Sequence, residues 1–199
     1  SLRRQRQMCI RDRNDAVQSE EEYFYEKNLL KQLRRKGHNT GYITENNEYD
    51  HYGNLIQKTL SATGMAPRVN KWEYDTPTHR FVSKKTDILG NQTTYTYDAS
   101  NGLMLTETIS NGTNPMTTTY VYDKWGKTIK KTNYLGKSDK YTYAKTPDKG
   151  VLKTTIGDDG SRSTSQIDAY GREVRKGTKT INGIWSYIDL RYDIEDRLI

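Results

Sequence analysis

The sequence is short of the residues that usually build a thick apolar core or a disulfide framework. Its 199 residues include a single cysteine, Cys9, and only 32% of them are hydrophobic. One thiol excludes an intramolecular disulfide and a cysteine-based metal site. No apolar run is long enough to span a bilayer, and no hydrophobic signal segment is present. With a mean hydropathy of −1.02, we expect a fold that needs little buried apolar volume.

Proline and phenylalanine are also scarce, with four and two residues, against 16 tyrosines. All four prolines, at positions 67, 77, 115 and 147, fall in predicted connections, which suits a sheet because a central strand needs every backbone donor. A tyrosine ring can pack while its hydroxyl stays hydrated. Disorder is the alternative for so polar a chain, but the dense Tyr, Thr, Val and Ile content and the evenly spaced turns favour strands.

Positive charge is concentrated at the start of the chain. The net charge is +7, and the first 13 residues hold five arginines and one aspartate, a net +4. This leader, residues 1–13, matches no part of the pattern that follows and resembles translated adapter sequence. We interpret it as non-native or disordered and exclude it from fold reasoning. A basic arm that binds nucleic acid or a membrane surface is the other interpretation.

The segment Thr86–Gly136 shows the pattern that organises the chain. Strand-like runs in which Tyr and Thr alternate are separated by short turns of the form Asp-x-x-Gly. In residues 92–98, Tyr95 and Tyr97 fall on one face of an extended strand, and the intervening threonines fall on the other. Each pair of runs therefore predicts a β-hairpin with tyrosines on one side.

The pattern recurs along the chain about every 24 residues. The last aromatic or apolar residue before each turn is Tyr25, Tyr49, Tyr74, Tyr97, Tyr122, Tyr143, Ile167 and Tyr192, and an acidic residue follows in seven of these eight copies, with Ala144 the exception. A fixed period of this length is the signature of a repeat architecture. We predict an all-β fold in which about eight units of 21–25 residues, over 14–199, form an antiparallel meander of successive hairpins in a curved single-layer strip.

Turn chemistry explains the repeated residue types. An Asp or Asn at the first turn position can accept hydrogen bonds from the backbone that follows it, and Gly supplies the positive φ that closes the turn. The predicted repeat-turn residues are Tyr49, Asp50, Gly53, Asp87, Gly90, Tyr97, Asp98, Tyr122, Asp123, Gly126, Gly136, Asp168, Gly171, Tyr192 and Asp193. Asp87–Gly90 and Asn133–Gly136 fall at half a period, which places them at the opposite end of the hairpins.

Two local features leave more than one interpretation. Residues 22–36 contain leucines at spacings that suit a short amphipathic helix, but Tyr23 and Tyr25 align with the repeat, so we predict strand. The dipeptides Asn111-Gly112 and Asn182-Gly183 predict type I′ hairpin turns. The second implies strands near 173–181 and 184–192, with Trp185 and Tyr187 on one face.

The recurring Tyr-x-Tyr-Asp-x-x-Gly pattern resembles the YD repeat of the Rhs family. The matching residues are Tyr120–Lys127, Tyr95–Asp98 and Asp168–Arg172, with weaker matches at Glu48–Leu55 and Tyr192–Leu198, where Asp196 replaces the glycine. This family includes cocoon-forming subunits of insecticidal toxin complexes, Rhs polymorphic toxins and the teneurin shell. The resemblance implies a β-sheet strip that coils into a hollow shell around a C-terminal toxin domain. The family's Asp-Pro cleavage motif is missing, so no self-cleavage is assigned.

No catalytic constellation appears in the sequence. The three histidines lack metal-ligand spacing, Asp158-Asp159 lies in a turn without a calcium-ligand series, and no nucleophile elbow or phosphate loop is present. We therefore expect no enzyme activity, no cofactor and no metal. A tyrosine ladder explains the aromatics better than nucleic-acid stacking does, so no nucleic-acid partner is expected.

We expect a structural segment of a secreted or cell-surface protein, in which flanking repeats and a cargo domain of the same polypeptide are the partners. Because the chain opens without Met and stops inside a unit, we expect it to be a piece of a longer protein. The alternative function is a surface adhesin or carbohydrate-binding module. In that case Trp72, Trp125 and Trp185 are the sugar-contact aromatics, and glycans are the partners.

Overall fold

Strands and turns make up the described part of the chain in the computed structural model, which covers residues 3–11, 17–37, 40–110, 112 and 114–199. Side chains are described from residue 19 onward. The residues form two compact units, the first comprising 1–97 and 108–115 and the second 98–107 and 116–199. The all-β prediction is confirmed.

The described residues of the two units include sixteen successive strands. The first unit contains β1 (Arg3–Arg11), β2 (Val17–Glu26), β3 (Leu29–Gly37), β4 (Ile43–Tyr49), β5 (Leu55–Ala62), β6 (Arg68–Tyr74), β7 (Val82–Thr86) and β8 (Gln92–Tyr97). Strand β9 (Met104–Ser110) is divided between the units. The second unit contains β10 (Met116–Tyr122), β11 (Thr128–Thr132), β12 (Ser138–Lys145), β13 (Val151–Ile156), β14 (Arg162–Ile167), β15 (Glu173–Lys179) and β16 (Trp185–Asp189).

The strands form an antiparallel meander in each unit. From β1 to β8, and again from β10 to β16, each strand pairs antiparallel with the next strand in the chain. Turns that follow even-numbered strands therefore lie on one edge of a unit's sheet, and turns that follow odd-numbered strands lie on the other. We call these two sides, which are formed by the ends of the strands and not by the outermost strands, the even edge and the odd edge.

Each sheet is one layer thick in the described residues. No strand within a unit packs against any strand other than its sequence neighbours. Leu33, 4% exposed, is the only buried hydrophobic residue in this part of the chain, and Glu22 and Asn47 are the buried polar ones. Backbone ladders, cross-strand side-chain pairs and half-buried tyrosines must therefore supply most of the stability.

Residues 22–26 and 29–36 lie in strands β2 and β3, which confirms the strand prediction. Strands β2 and β3 are joined by Lys27 and Asn28, whose φ angles are 47° and 66°. Two successive positive φ angles in a two-residue loop define a type I′ turn. The strongly twisted two-residue hairpin thus occurs here, at a sequence that contains no glycine.

The leader takes part in the first sheet. We expected residues 1–13 to lie outside the repeat, whereas Arg3–Arg11 form β1 and pair with β2 over most of their length. Residues 1, 2, 12 and 13 lie outside the described part. An edge strand offers a row of unpaired backbone groups to any extended segment, so pairing alone does not require a repeat sequence. Whether the leader is native stays a prediction.

The Asn182-Gly183 turn differs from the predicted type I′ form. Gly183 has a φ of 79°, but Asn182 does not have a positive φ. The Thr180 amide donates to the Ile184 carbonyl at 2.7 Å, and the Gly183 amide donates to the Thr180 carbonyl at 2.9 Å. This is a type I turn closed by glycine, so the type I′ prediction is wrong here. At the other Asn-Gly dipeptide, Asn111 lies outside the described residues.

Candidate functional site at the repeat junctions

Each repeat turn uses its acidic residue to hold the backbone. In the turn that begins at Asp50, carboxylate oxygen Oδ1 accepts hydrogen bonds from the amides of Tyr52 and Asn54, both at 2.9 Å. The Gly53 amide donates to the Asp50 carbonyl at 3.1 Å, and the φ of Gly53 is 89°. The side chain thus satisfies two turn amides that the ladder leaves unpaired, and glycine accepts the left-handed conformation without steric cost.

The same arrangement recurs on both edges of the sheets. The turns in which Oδ1 accepts the amides two and four residues on begin at Asp87, Asp123, Asn133, Asp168 and Asp193. The glycines at their fourth positions, Gly90, Gly126, Gly136 and Gly171, have φ between 76° and 84°. In the last turn Asp196 replaces glycine with a φ of 61°. Asp75 and Asp98 begin longer turns.

Hydrogen bonding lowers the pKa of three of the turn carboxylates, those of Asp87, Asp168 and Asp193. The Asn91 side chain, then the amides of the turn, hold the pKa of Asp87 below its usual range. The Arg197 amide and guanidinium have the same effect on the pKa of Asp193. Burial alone would raise the pKa of Asp168, but hydrogen bonds from Arg172 outweigh it and lower that pKa. A general acid needs a raised pKa. Carboxylates with lowered pKa values are suited to accepting hydrogen bonds and not to delivering protons.

A second recurring contact joins six of the repeats, each to the one before it. The hydroxyl of the repeat tyrosine donates to a backbone carbonyl 15 to 19 residues earlier in the chain, over 2.7 to 3.1 Å. The pairs are Tyr49 to Leu30, Tyr74 to Leu55, Tyr97 to Val82, Tyr122 to Met104, Tyr143 to Thr128 and Tyr192 to Glu173. Six of the eight repeat positions therefore make one and the same bond.

In five of the six pairs the accepting carbonyl lies at a β-bulge. Tyr122 pairs with Thr128, but the next pair is Val121 with Lys130, so Ile129 is an extra residue in β11. The carbonyl of Thr128, immediately before the extra residue, accepts the hydroxyl of Tyr143. A bulge interrupts the ladder locally, and the tyrosine of the following repeat supplies a donor there. The acceptors Leu30, Leu55, Val82 and Glu173 also lie directly before an extra residue.

The one copy without a tyrosine is consistent with this rule. In the β12–β13 hairpin the pairing continues without a bulge from Lys140 opposite Ile156 to Lys145 opposite Val151. The next repeat position is Ile167, which pairs with Val151. Ile167 has no hydroxyl, and in this copy no bulge carbonyl needs a donor. The absence of the bulge and the absence of the tyrosine therefore occur together.

The length of strand β12 explains why the β12–β13 hairpin has no bulge. Strand β12 continues past Ala144 to Lys145, and the turn begins at Thr146 instead of at the expected position. The Thr146 amide donates to the Gly150 carbonyl at 3.1 Å, and Lys149 has a φ of 65°. Two added strand residues shift the turn and restore a regular ladder on both sides of it.

Basic side chains pack on the same tyrosine rings. The Lys31 ammonium lies 5.4 Å from the ring centroid of Tyr49, and that of Lys127 lies 5.0 Å from the ring centroid of Tyr143. These distances are within the range of a cation–π contact. Burial raises the pKa of Tyr49 and of Tyr143, which favours the neutral phenol that donates to the bulge carbonyl.

Arg172 connects the turns of two successive repeats. Its guanidinium contacts the Asp168 carboxylate at 2.7 Å and the Asp196 carboxylate at 2.6 Å, and it lies 5.2 Å from the ring centroid of Tyr192. Asn54 occupies the corresponding position in an earlier copy, where its side-chain amide donates to Asp50 and to the His79 carbonyl. The residue after the turn glycine thus holds neighbouring turns together along the even edge.

The tryptophans do not form one site. Trp72 lies half-buried in β6 of the first unit. Trp125 is 75% exposed in the turn after β10, on the even edge of the second unit. Trp185 begins β16, next to the odd edge, and stacks on Tyr187 at a centroid distance of 5.9 Å. The predicted face shared by Trp185 and Tyr187 is therefore observed, whereas Trp125 and Trp185 lie on opposite edges.

Sequence reasoning missed the hydroxyl contacts between repeats. The signal that could have found them is the excess of 16 tyrosines over two phenylalanines, because packing alone would accept either ring. It also missed the stack of Tyr52 on His79, 4.3 Å apart, which joins two even-edge turns. Among the described side chains, no cluster of His, Cys, Asp and Glu is arranged to hold a metal ion. The described residues include no helix long and apolar enough to cross a membrane.

Comparison with known proteins gives matches in structure only. No protein-family model and no curated protein matches the sequence. A crystal structure of TcdB2-TccC3-Cdc42 is similar with a TM-score of 0.59 and 13% identity over 97% of this chain. A second structure, TcdB2-TccC3 without its hypervariable C-terminal region, is similar with a TM-score of 0.57 and 11% identity over 95% of this chain.

The similar region is a small part of those proteins, because this chain covers 12% of the matched chain in both structures. At this level of identity the likeness concerns the fold. It agrees with the resemblance to Rhs and YD-repeat shells that the turn motif indicates. The chain therefore has the all-β repeat fold found in part of these toxin-complex structures.

Proposed function

We propose that this segment is non-catalytic wall material of a secreted or surface protein, and that it forms part of a β-shell around a C-terminal cargo of the same polypeptide. The observation that carries the proposal is the contact between repeats. Six repeat tyrosines donate to the preceding repeat, so the characteristic residues of the motif bind the chain to itself. The similarity to toxin-complex structures supports the same conclusion.

The turn carboxylates support a structural role as well. A catalytic acid or base is usually poised near the working pH in a cleft. The turn aspartates Asp87, Asp168 and Asp193 instead have lowered pKa values. They accept backbone amides, as Asp87 does from Leu89 and Asn91. Their chemistry is used to shape the chain. Flanking repeats are the expected partners, because the outer strands of a meander leave unpaired backbone edges.

Protease protection tests the enclosure of a cargo. The longer polypeptide that contains these repeats is digested with a nonspecific protease before and after mild unfolding in urea, and the residues that follow the repeats are detected by an antibody tag. We expect the following residues to resist digestion until the repeats unfold. Equal rates of digestion in the native and unfolded states would mean that the repeats enclose nothing.

The adhesin alternative makes a different prediction in the same material. If exposed aromatics bind glycans, Trp125→Ala should remove binding to a glycan array without changing protease protection. The separation of Trp125 and Trp185 on opposite edges argues against a single aromatic sugar site in the second unit. The wall proposal therefore has the stronger support.

A further inference from the structure

An uncompensated row of cations crosses one face of the second unit. Lys130 lies directly opposite Lys140, Lys140 opposite Ile156, and Ile156 opposite Arg162. Directly opposite residues in an antiparallel ladder point to the same face. Continuing the pairing of Ser163 with Thr178 places Lys179 beside Arg162. Four cations thus lie along a line from β11 to β15, about 19 Å long at the usual strand spacing.

These four cations have no acidic partner within salt-bridge distance among the described residues. Lys130, Lys140 and Arg162 are exposed, and Lys179 is half-buried. Of the described residues that line the groove at the end of the row, Asp159 is the one acidic residue, and a single carboxylate there leaves the four cations in excess. The row therefore carries a net positive charge that the described part of the protein does not neutralise.

In the first unit, by contrast, cations on neighbouring strands lie opposite acidic residues. There Glu21 lies opposite Arg35 with 2.9 Å between the charged groups, and Glu73 lies opposite Lys84 at 2.8 Å. Opposite charges across a strand pair stabilise a sheet, and like charges directly opposite destabilise it. The Lys130 and Lys140 pair thus costs stability in the isolated chain, and an anionic partner would remove that cost.

The end of the row has an apolar component. Arg162 and Lys179 line a groove of about 480 Å³ between the turns 157–161 and 180–184, together with Ile181. Ile181 is fully exposed, and the neighbouring Ile184 is 67% exposed. A surface on which aliphatic side chains lie beside cations is complementary to a ligand in which carboxylates alternate with apolar groups. A polysaccharide or a nucleic acid offers few aliphatic groups to such a surface.

From these observations we propose that the row Lys130, Lys140, Arg162 and Lys179, together with Ile181, binds an acidic polypeptide segment that also carries aliphatic side chains. Its carboxylates pair with the cations, and an aliphatic side chain occupies the groove at Ile181. This binding surface is additional to the proposed wall function and does not depend on it. The guanidinium of Arg162 can donate two parallel hydrogen bonds to one carboxylate, which orients the bound group in addition to attracting its charge.

Fluorescence anisotropy with the 199-residue chain tests the proposal. The probe is a labelled peptide of about ten residues composed of Glu, Asp, Ile and Gly, long enough to follow the row in extended form. A peptide with Gln and Asn in place of the acids is the uncharged control. Lys130→Gln with Lys140→Gln, and separately Arg162→Gln with Lys179→Gln, should each weaken binding about ten-fold.

The matched control is Lys71→Gln with Lys85→Gln, which removes two cations from neighbouring strands of the first unit. It leaves the leader arginines unchanged, as the test variants do, and should retain binding. Urea unfolding separates binding from folding, because Lys140→Gln removes a repulsion and should not lower stability. Equal losses in test and control variants, tight binding of the uncharged peptide, or preference for heparin or an oligonucleotide would each overturn the proposal.

Discussion

Removing a single hydroxyl from Tyr143 should weaken the junction between two repeats. The hydroxyl lies 3.0 Å from the Thr128 carbonyl at the bulge of β11. A net hydrogen bond contributes about 0.5–1.5 kcal/mol, and an acceptor left without a donor costs more when it is buried. Tyr143 is half-buried, so water can reach part of the vacated space. We therefore expect Tyr143→Phe to lower the free energy of unfolding by about 1 kcal/mol.

Two matched variants isolate the hydroxyl from the ring. Tyr141 lies two residues earlier on the same face of β12, and burial raises its pKa as it raises that of Tyr143. Its hydroxyl has no hydrogen-bond partner among the described residues, so Tyr141→Phe should change stability by only about a few tenths of a kcal/mol. Ile167→Tyr adds a hydroxyl where the preceding hairpin has no bulge, so it should bring no comparable gain.

Urea unfolding followed by tyrosine and tryptophan fluorescence measures all three variants against the parent chain. For a chain of this length, about 1 kcal/mol corresponds to a melting-temperature shift of roughly 2–4 °C. The Tyr143→Phe variant keeps the aromatic ring that Lys127 contacts, so the cation–π contact is common to both proteins. Equal losses for Tyr141→Phe and Tyr143→Phe, or a gain of about 1 kcal/mol for Ile167→Tyr, would refute the hydroxyl argument.

Three further predictions concern the turns and the strands. Asp123→Ala should cost about 1–2 kcal/mol in urea unfolding because two turn amides lose their acceptor, whereas Asp123→Asn should be nearly neutral because Asn133 makes the same two bonds. Gly177→Ala should cost about 1–3 kcal/mol in the same assay, since its Cβ would meet Thr164 Oγ1 at 2.5 Å; a neutral variant would contradict that packing. The lowered pKa of Asp87 and similar turn acids contributes stability that is present above the ordinary pKa of 3.8 and is lost as the pH falls through the lower, folded-state pKa. Circular dichroism should therefore report acid unfolding below pH 3.8. Unchanged stability down to about pH 2 would contradict the linkage.

Local patterns predicted the strands and turns well. Residues 92–98 are predicted to be extended and contain β8 (Gln92–Tyr97), because alternating side chains and the Asp-x-x-Gly turn before them both act within a few residues. The half-period turn at Asp87 is observed on the odd edge for the same reason. The fold class and its repeat architecture follow from such short-range chemistry repeated at a constant interval.

Features that depend on cross-strand register could not be predicted from the pattern. Whether a residue such as Ile129 becomes an extra residue in its strand depends on how two strands align, and the sequence of either strand alone does not specify that alignment. The acceptor of the Tyr143 hydroxyl could not be named without it. The Asn182-Gly183 turn failed for a related reason, since the number of residues between paired positions selects the turn type.

The bulge and the tyrosine together make the repeat self-complementary. A unit that follows the motif creates a carbonyl acceptor at its bulge, and it also supplies a hydroxyl donor to the acceptor of the unit before it. An added copy therefore needs no new kind of contact, which is the condition for growth as a linear array. A catalytic site requires unlike side chains to converge at one place, whereas these motif residues repeat one contact at successive junctions. That difference is the physical reason to interpret the motif as a device that joins successive repeats. The β12–β13 hairpin has no bulge, and the repeat position that follows it is Ile167 instead of a tyrosine, so donor and acceptor are lost at the same junction.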